Sequence, residues 1–318
     1  RLDTLKIASV SFGDRTKNTF QKTLDNYATV THFNLTADAS KKECDSLVKT
    51  LRKFNLVLAC LNNTNVRPAK NFGVSDKSIE LLDSIQAQTK VVLTVLANPA
   101  CLSKFKNPLQ FNALVMGYEE TEYSQRLCAS LIFGGATSKG KLAFTVPGFF
   151  KAGDGIDIGE PVRFRYCLPE EAGMSAINFS RIDTIVTQAI KEHAAPGCQV
   201  LVAQNGKVVY QKSFGTITYE TPLPIENDFV YDIASVTKVA ASVLSLMKLY
   251  EGGKIALDSG LAYYLPELKG TSKGKLTLRE ILTHQAGLKA WIPFWKNTMD
   301  NGEWKTSLYC KTPSAKYS

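Results

Sequence analysis

Ser235 and Lys238 stand three residues apart in the stretch Tyr231-Asp-Ile-Ala-Ser-Val-Thr-Lys238. On a helix that spacing puts both side chains on one face, about 5–6 Å apart at Cβ. A serine hydroxyl is a poor nucleophile until a base takes its proton. A lysine deprived of water at the positive end of a helix is disfavoured as the ammonium and can accept that proton. The N–H of a residue in the first helical turn has no helical partner, so that of Ser235 can serve as an oxyanion donor. Ser235 is therefore the candidate nucleophile and Lys238 the candidate base. The four-residue pattern alone is weak, because Ser-x-x-Lys occurs six times in the chain. Only the copy at Ser235 opens a long apolar run directly after an aspartate-bearing turn.

The elements that must position this pair follow from their neighbours. Asp232 is a favoured N-cap type. From Val236 to Leu249 nearly every position is Val, Ala, Leu or Met. A helix apolar on all faces belongs inside a domain, so the pair is expected at the start of a buried helix that stops at Gly252-Gly253. His284, in Thr283-His284-Gln285-Ala286-Gly287, reads as part of a helix end before it reads as a triad base. Trp291 and Trp295 read as loop packing before they read as a cleft wall.

Upstream, apolar runs alternate with helical periods. Residues 5–13, 56–61, 91–96, 113–118 and 141–146 read as strands, the second, third and fourth with the continuous apolar character of strands covered on both faces. Residues 41–54, a segment capped by Ser75, and residues 122–133 read as helices. This alternation predicts an α/β fold with a mostly parallel sheet and helices on both faces. Glu119 and Glu120 follow a strand, where α/β sites form, but no partner carboxylate is evident for them. Residues 151–170 are rich in Gly and Pro and are taken as a linker, packed by Phe149, Phe150, Phe164 and Tyr166. After it come an amphipathic helix over 178–192 and two β-rich runs joined by Asn205-Gly206, the strongest short hairpin signal. A second, α+β domain begins there. The expected organisation is an α/β-sandwich domain over 1–150, the linker, and an incomplete α+β domain over 171–318.

The 318 residues carry a net charge of +9, of which +7 (19 basic against 12 acidic) falls in residues 1–150. The lysines are scattered without interleaved stacking aromatics, so a solvated basic face is expected and no nucleic-acid partner. None of the seven cysteines forms a Cys-x-x-Cys pair, and no His-Cys cluster has metal spacing. No metal ligand is assigned and no cofactor is expected. The sequence contains no membrane-length apolar run. Arg1 in place of Met suggests a processed product or a piece of a longer chain.

The order VVLTVLANPACLSKF, ALVMGYEE, the 124–133 segment with Phe133-Gly-Gly, GKLAFTVPGFF and Gly153-Asp-Gly155 resembles the α/β-sandwich domain of glycoside hydrolase family 3 over most of residues 1–155. In that family the nucleophilic aspartate lies in a barrel that is not in this sequence. The pieces PGCQVLVAQNGKVVYQKSFG, ASVTK, EGGKIALD, LTLREILTHQAGL and Tyr317-Ser318 resemble the serine β-lactamase and penicillin-binding-protein superfamily, in particular its class C-like esterases and D-alanyl-D-alanine peptidases. That resemblance implies Ser235 as nucleophile, Lys238 as its lysine and Tyr317 as the tyrosine that assists proton transfer. It also implies a later strand bearing a second oxyanion donor, which is not in the sequence, so this chain alone is expected to be catalytically crippled.

Together the resemblances imply a fragment of an exported, periplasmic or extracytoplasmic bacterial hydrolase. It would combine a β-N-acetylglucosaminidase with an acyl-enzyme serine hydrolase, and act on small-molecule, glycan or peptidoglycan-derived substrates. The rival expectation is a β-lactamase-like scaffold or binding module that has lost its chemistry. The retained Ser235, Lys238 and Tyr317 set weighs against it.

Overall fold

The computed structural model describes residues 4–13, 15–36, 39–65, 67–305 and 308. They fall into two compact units, Arg1–Phe229 and Val230–Ser318. The 151–170 segment lies inside the first.

The first unit is built on a five-stranded parallel sheet in the order β2-β1-β3-β4-β5. The strands are β1 (Ile7–Phe12), β2 (Val30–Leu35), β3 (Leu56–Leu61), β4 (Lys90–Val95) and β5 (Ala113–Met116). Helices α1 (Thr19–Leu24), α2 (Lys41–Leu51) and α3 (Asp76–Gln86) connect the first four strands, and α4 (Glu122–Ile132) follows β5. Side chains alternate across a strand, and the core divides accordingly. Val57, Ala59, Leu61, Val91, Leu93 and Val95 pack with α2 and α3 on one face. Ile7, Leu58 and Cys60 pack with Phe20 and Leu24 of α1 and Cys128 and Ala129 of α4 on the other. Burial on both faces is why β3 and β4 read as unbroken apolar runs. The helix starts follow from their caps. Ser40 and Thr121 form capping boxes with Glu43 and Ser124, and Ser75 accepts from the Ser78 N–H.

The strand expected over 141–146 does not form. Leu142 exchanges backbone hydrogen bonds with the 153–154 turn (2.8 Å each), and Val146 pairs with Phe150 in an isolated bridge. Val146, Phe144, Phe149 and Phe150 pack on the α2/α3 face of the core. Their apolar character is used to cover helices and strand ends, with no sixth ladder.

The 151–170 segment is fastened at its end. Tyr27 stacks on Phe133 (5.3 Å), meets Tyr166 edge-on (5.4 Å) and donates to Phe164 O at 3.0 Å. Phe164 itself is 56% exposed, so its ring contributes no packing of the kind expected. A second sheet follows, in the order β6-β8-β7, from β6 (Arg165–Tyr166), β7 (Gly197–Gln204) and β8 (Lys207–Gly215). Asn205 (φ 50°) and Gly206 (φ 74°) make the tight turn of the β7–β8 hairpin. Helix α5 (Ala176–Lys191) lies on it through Phe179, which stacks on Tyr210 at 5.4 Å.

In the second unit, α6 (Leu244–Glu251), α7 (Leu261–Tyr264) and α8 (Leu278–Leu282) are short, and β9 (Met299–Asp300) pairs with β10 (Glu303–Trp304). Thr277 caps α8 in a capping box with Glu280.

Candidate active site

Ser235 sits in a 3-10 turn, Ala234–Val236, that runs on through a π-helical stretch, Lys238–Val243, into α6. Asp232 shapes the approach. Its Oδ1 accepts from the Ala234 N–H at 2.7 Å, closing a local turn in place of the helix N-cap expected of it. Ala234 is held at φ +42°, a region that non-glycine residues rarely occupy and that recurs at functional sites. The far end behaves as the glycines dictate. Gly253 takes φ +65°, and Lys254 N–H closes on Leu249 O at 2.9 Å.

Lys238 Nζ donates to Ser235 Oγ at 3.0 Å. That is within the reach a general base needs, about 2.6–3.2 Å. With a neutral amine the same contact would run the other way, the hydroxyl proton passing to Nζ as Oγ attacks a carbonyl.

The surroundings differ from expectation in one respect. The segment was expected to be buried, yet both side chains of the pair are exposed, as are Val239 (63%) and Met247 (59%). No residue between Val236 and Glu251 is buried. The uniformly apolar sequence identifies a helix that wants cover. An open apolar concavity lies beside it, lined in part by Leu246, Met247, Leu257 and Leu282. The water-poor setting expected for Lys238 is therefore absent from this structure.

Tyr317 lies outside the described residues. His284 takes φ +58° just past Thr283, the C-cap of α8, and so ends that helix. Trp291 and Trp295 are exposed, so neither is packed as a loop core. Glu120 accepts from the Thr64 N–H at 2.8 Å and ties the loop after β3 to the one after β5, while Glu119 is exposed. No group of three or more His, Cys, Asp or Glu side chains able to hold a metal ion occurs among the described residues.

Two clusters escaped the sequence reading because their members are distant in the chain. In the first unit Asp183 of α5 accepts from Tyr210 Oη (2.7 Å) and Lys212 Nζ (2.8 Å) of β8. Burial, then the Asp183 carboxylate, push the Tyr210 phenol up to about 12, and Lys212, then Tyr210, hold Asp183 below the usual carboxylate range. Also in that unit, Ser9, His32 and Asp25 form a hydrogen-bonded chain with the residue types of a hydrolytic triad. Ser9 has no exposed surface, so it is no nucleophile.

Residues 182–308 match the Beta-lactamase family profile. The chain carries a β-lactamase-superfamily domain. The esterase EstB of Burkholderia gladioli is 32% identical over 117 residues, which is 36% of this chain and 30% of the esterase. A beta-lactamase of Providencia stuartii is 28% identical over 119 residues, 37% of this chain and 30% of that protein. The chain thus spans about a third of the length of these curated relatives. Ser235 and Lys238 both lie inside the matched β-lactamase-like region, which supports a serine-hydrolase superfamily assignment. A glycoside hydrolase family 3 beta-N-acetylglucosaminidase from Paenibacillus sp. str. FPU-7 is similar at 12% identity and a TM-score of 0.34, over 41% of this chain and 25% of that one. That likeness is weak. No described helix is long and apolar enough to cross a membrane.

Proposed function

We propose that the protein is part of a hydrolase in which a β-lactamase-like serine module is joined to a family 3 β-N-acetylglucosaminidase. In the serine module Ser235 attacks an ester or peptide carbonyl, forms an acyl-enzyme and loses it to water. Lys238 takes the hydroxyl proton, Tyr317 assists its transfer to the leaving group, and no cofactor is required. The observation that carries this reading is the 3.0 Å contact between Lys238 Nζ and Ser235 Oγ, inside the region that matches the family. The glycosidase half rests on the motif order of residues 1–155 and on the doubly wound sheet that those residues form. Cell-wall glycopeptides or their turnover products would suit both modules, one cleaving sugars and the other acyl bonds. Such a substrate would place the protein outside the cytoplasm.

Incubation of the full-length hydrolase with a fluorophosphonate probe and with a penicillin, followed by peptide mapping, tests the serine module. Label confined to the peptide holding Ser235, and lost in Ser235→Ala, supports it. Equal labelling of both forms overturns it. Release of chromophore from a chromogenic N-acetylglucosaminide by the full-length hydrolase of which this chain is proposed to be part tests the sugar module separately.

A further inference from the structure

The Ser9–His32–Asp25 chain joins three elements of the first unit. His32 lies on β2, the edge strand of the five-stranded sheet, which pairs only with β1. Its Nδ1 is 2.7 Å from Ser9 Oγ on β1, and its Nε2 is 2.7 Å from Asp25 Oδ1 at the C-cap of α1. Gln21 Nε2 of α1 donates to the same Ser9 oxygen at 3.0 Å and to Phe33 O at 3.1 Å. Ser9 and Gln21 are completely buried, and the His32 side chain is 13% exposed.

Counting hydrogens fixes the state of the ring. The Asp25 carboxylate, ion-paired to Lys17, can only accept, so Nε2 must carry a proton. In the neutral ring Nδ1 is then an acceptor, and the Ser9 hydroxyl donates to it. Ser9 Oγ in turn accepts from Gln21, and every group is satisfied. A second proton on the ring reverses the Nδ1 contact. Ser9 Oγ would then accept twice, and its own hydrogen would need another acceptor. Among the described residues its partners are His32 and Gln21; the protonated ring has no acceptor, and Gln21 presents Nε2 to Ser9 while its Oε1 accepts from the Asn18 N–H. A buried hydroxyl left without its bond carries the full desolvation cost of the group.

We propose that His32 is held as the neutral Nε2–H tautomer and acts as an acid-sensitive latch, fastening edge strand β2 to β1 and α1 and releasing it when the ring is protonated. The charged groups that face the ring are Asp25, at the end of α1, and Lys17, ahead of α1. The contacting side chains from β1 and from within α1, Ser9 and Gln21, are neutral. Burial lowers the pKa of the ring below the ordinary histidine value, against the opposing pull of Asp25. The opened state titrates near the ordinary value of about 6.5. Opening is therefore favoured as pH falls through that value, and the latch is fully fastened above it. If the closed ring stayed neutral throughout, the opening constant would rise about 30-fold between pH 7.5 and pH 5; partial protonation of the closed form makes the rise smaller.

Two measurements on the whole chain decide the matter. The protein has three histidines, His32, His193 and His284. Histidine-selective nitrogen-15 labelling, assigned with His32→Gln, should show a protonated Nε2 and an unprotonated Nδ1 for His32 at pH 7.5. Hydrogen exchange over residues 31–35, corrected for intrinsic rate, should lose protection at pH 5 relative to pH 7.5, by up to about 30-fold. Exchange in β3 and β4 should hold constant, and His32→Gln should abolish the difference. An Nδ1–H tautomer or an imidazolium at pH 7.5 overturns the proposal, as does pH-independent protection of β2. Should His32→Gln not fold, the wild-type spectrum and exchange profile decide alone.

Discussion

Replacing Lys238 separates a proton acceptor from a mere positive charge. Its Nζ lies 3.0 Å from Ser235 Oγ, close enough for direct transfer. A positioned general base contributes about 10²–10⁴-fold to such a step. Lys238→Ala removes both amine and charge. Lys238→Arg keeps the charge on a group that does not deprotonate in proteins. If the amine acts as the base, both variants should acylate Ser235 about 10²–10⁴-fold more slowly than wild type. The assay is the pseudo-first-order rate of fluorophosphonate labelling of the full-length hydrolase, with adducts mapped to the Ser235 peptide. Because both side chains are exposed, circular dichroism should show unchanged secondary structure, so the loss is one of chemistry. A Lys238→Arg rate within about threefold of wild type would refute the base assignment, since that is far below the expected contribution. It would leave Lys238 as an electrostatic aid only.

Gly215→Ala should destabilise the hairpin unit by about 2 kcal/mol or more in urea unfolding, since left-handed backbone costs a side-chain-bearing residue about 1–2 kcal/mol. Gly215 sits at φ +70°, and an added Cβ would meet Pro196 O at 2.2 Å, a backbone atom that cannot swing aside. Truncating Leu58, fully buried between sheet and helices, should cost about 2–5 kcal/mol by the same measurement. The raised phenol of Tyr210 adds stability that is complete below about pH 10 and lost as pH climbs towards about 12. Tyr210→Phe should flatten that alkaline decline in a denaturation series. Burial pushes the Cys101 and Cys128 thiols up to about 12, so maleimide mapping at pH 7.5 should leave both unmodified until the protein unfolds, while the half-exposed Cys167 and Cys198 react before them.

Local chemistry was legible in the sequence wherever neighbours in the chain decide the outcome. The Ser75 cap, the Asn205-Gly206 turn, the stop at Gly252-Gly253 and the apolar runs of β3 and β4 all appear where their residue types place them. The Ser235–Lys238 contact belongs with them, because a three-residue step on helical backbone fixes the meeting. Helix α1 and strand β2 were not legible. Their sequences, TFQKTL and VTHFNL, mix polar groups into the faces they bury. Those polar groups are affordable only because Gln21, Ser9, His32 and Asp25 satisfy one another across three elements.

Tertiary structure also decided the fate of residues 141–146 and of the Ser235 helix. The first has the composition of a strand, but no neighbouring strand takes up its hydrogen bonds, so its apolar side chains settle on the core. The second has the composition of a core helix and is exposed. Composition states which surfaces gain by leaving water; where they are covered depends on segments brought up from elsewhere, which no local pattern records.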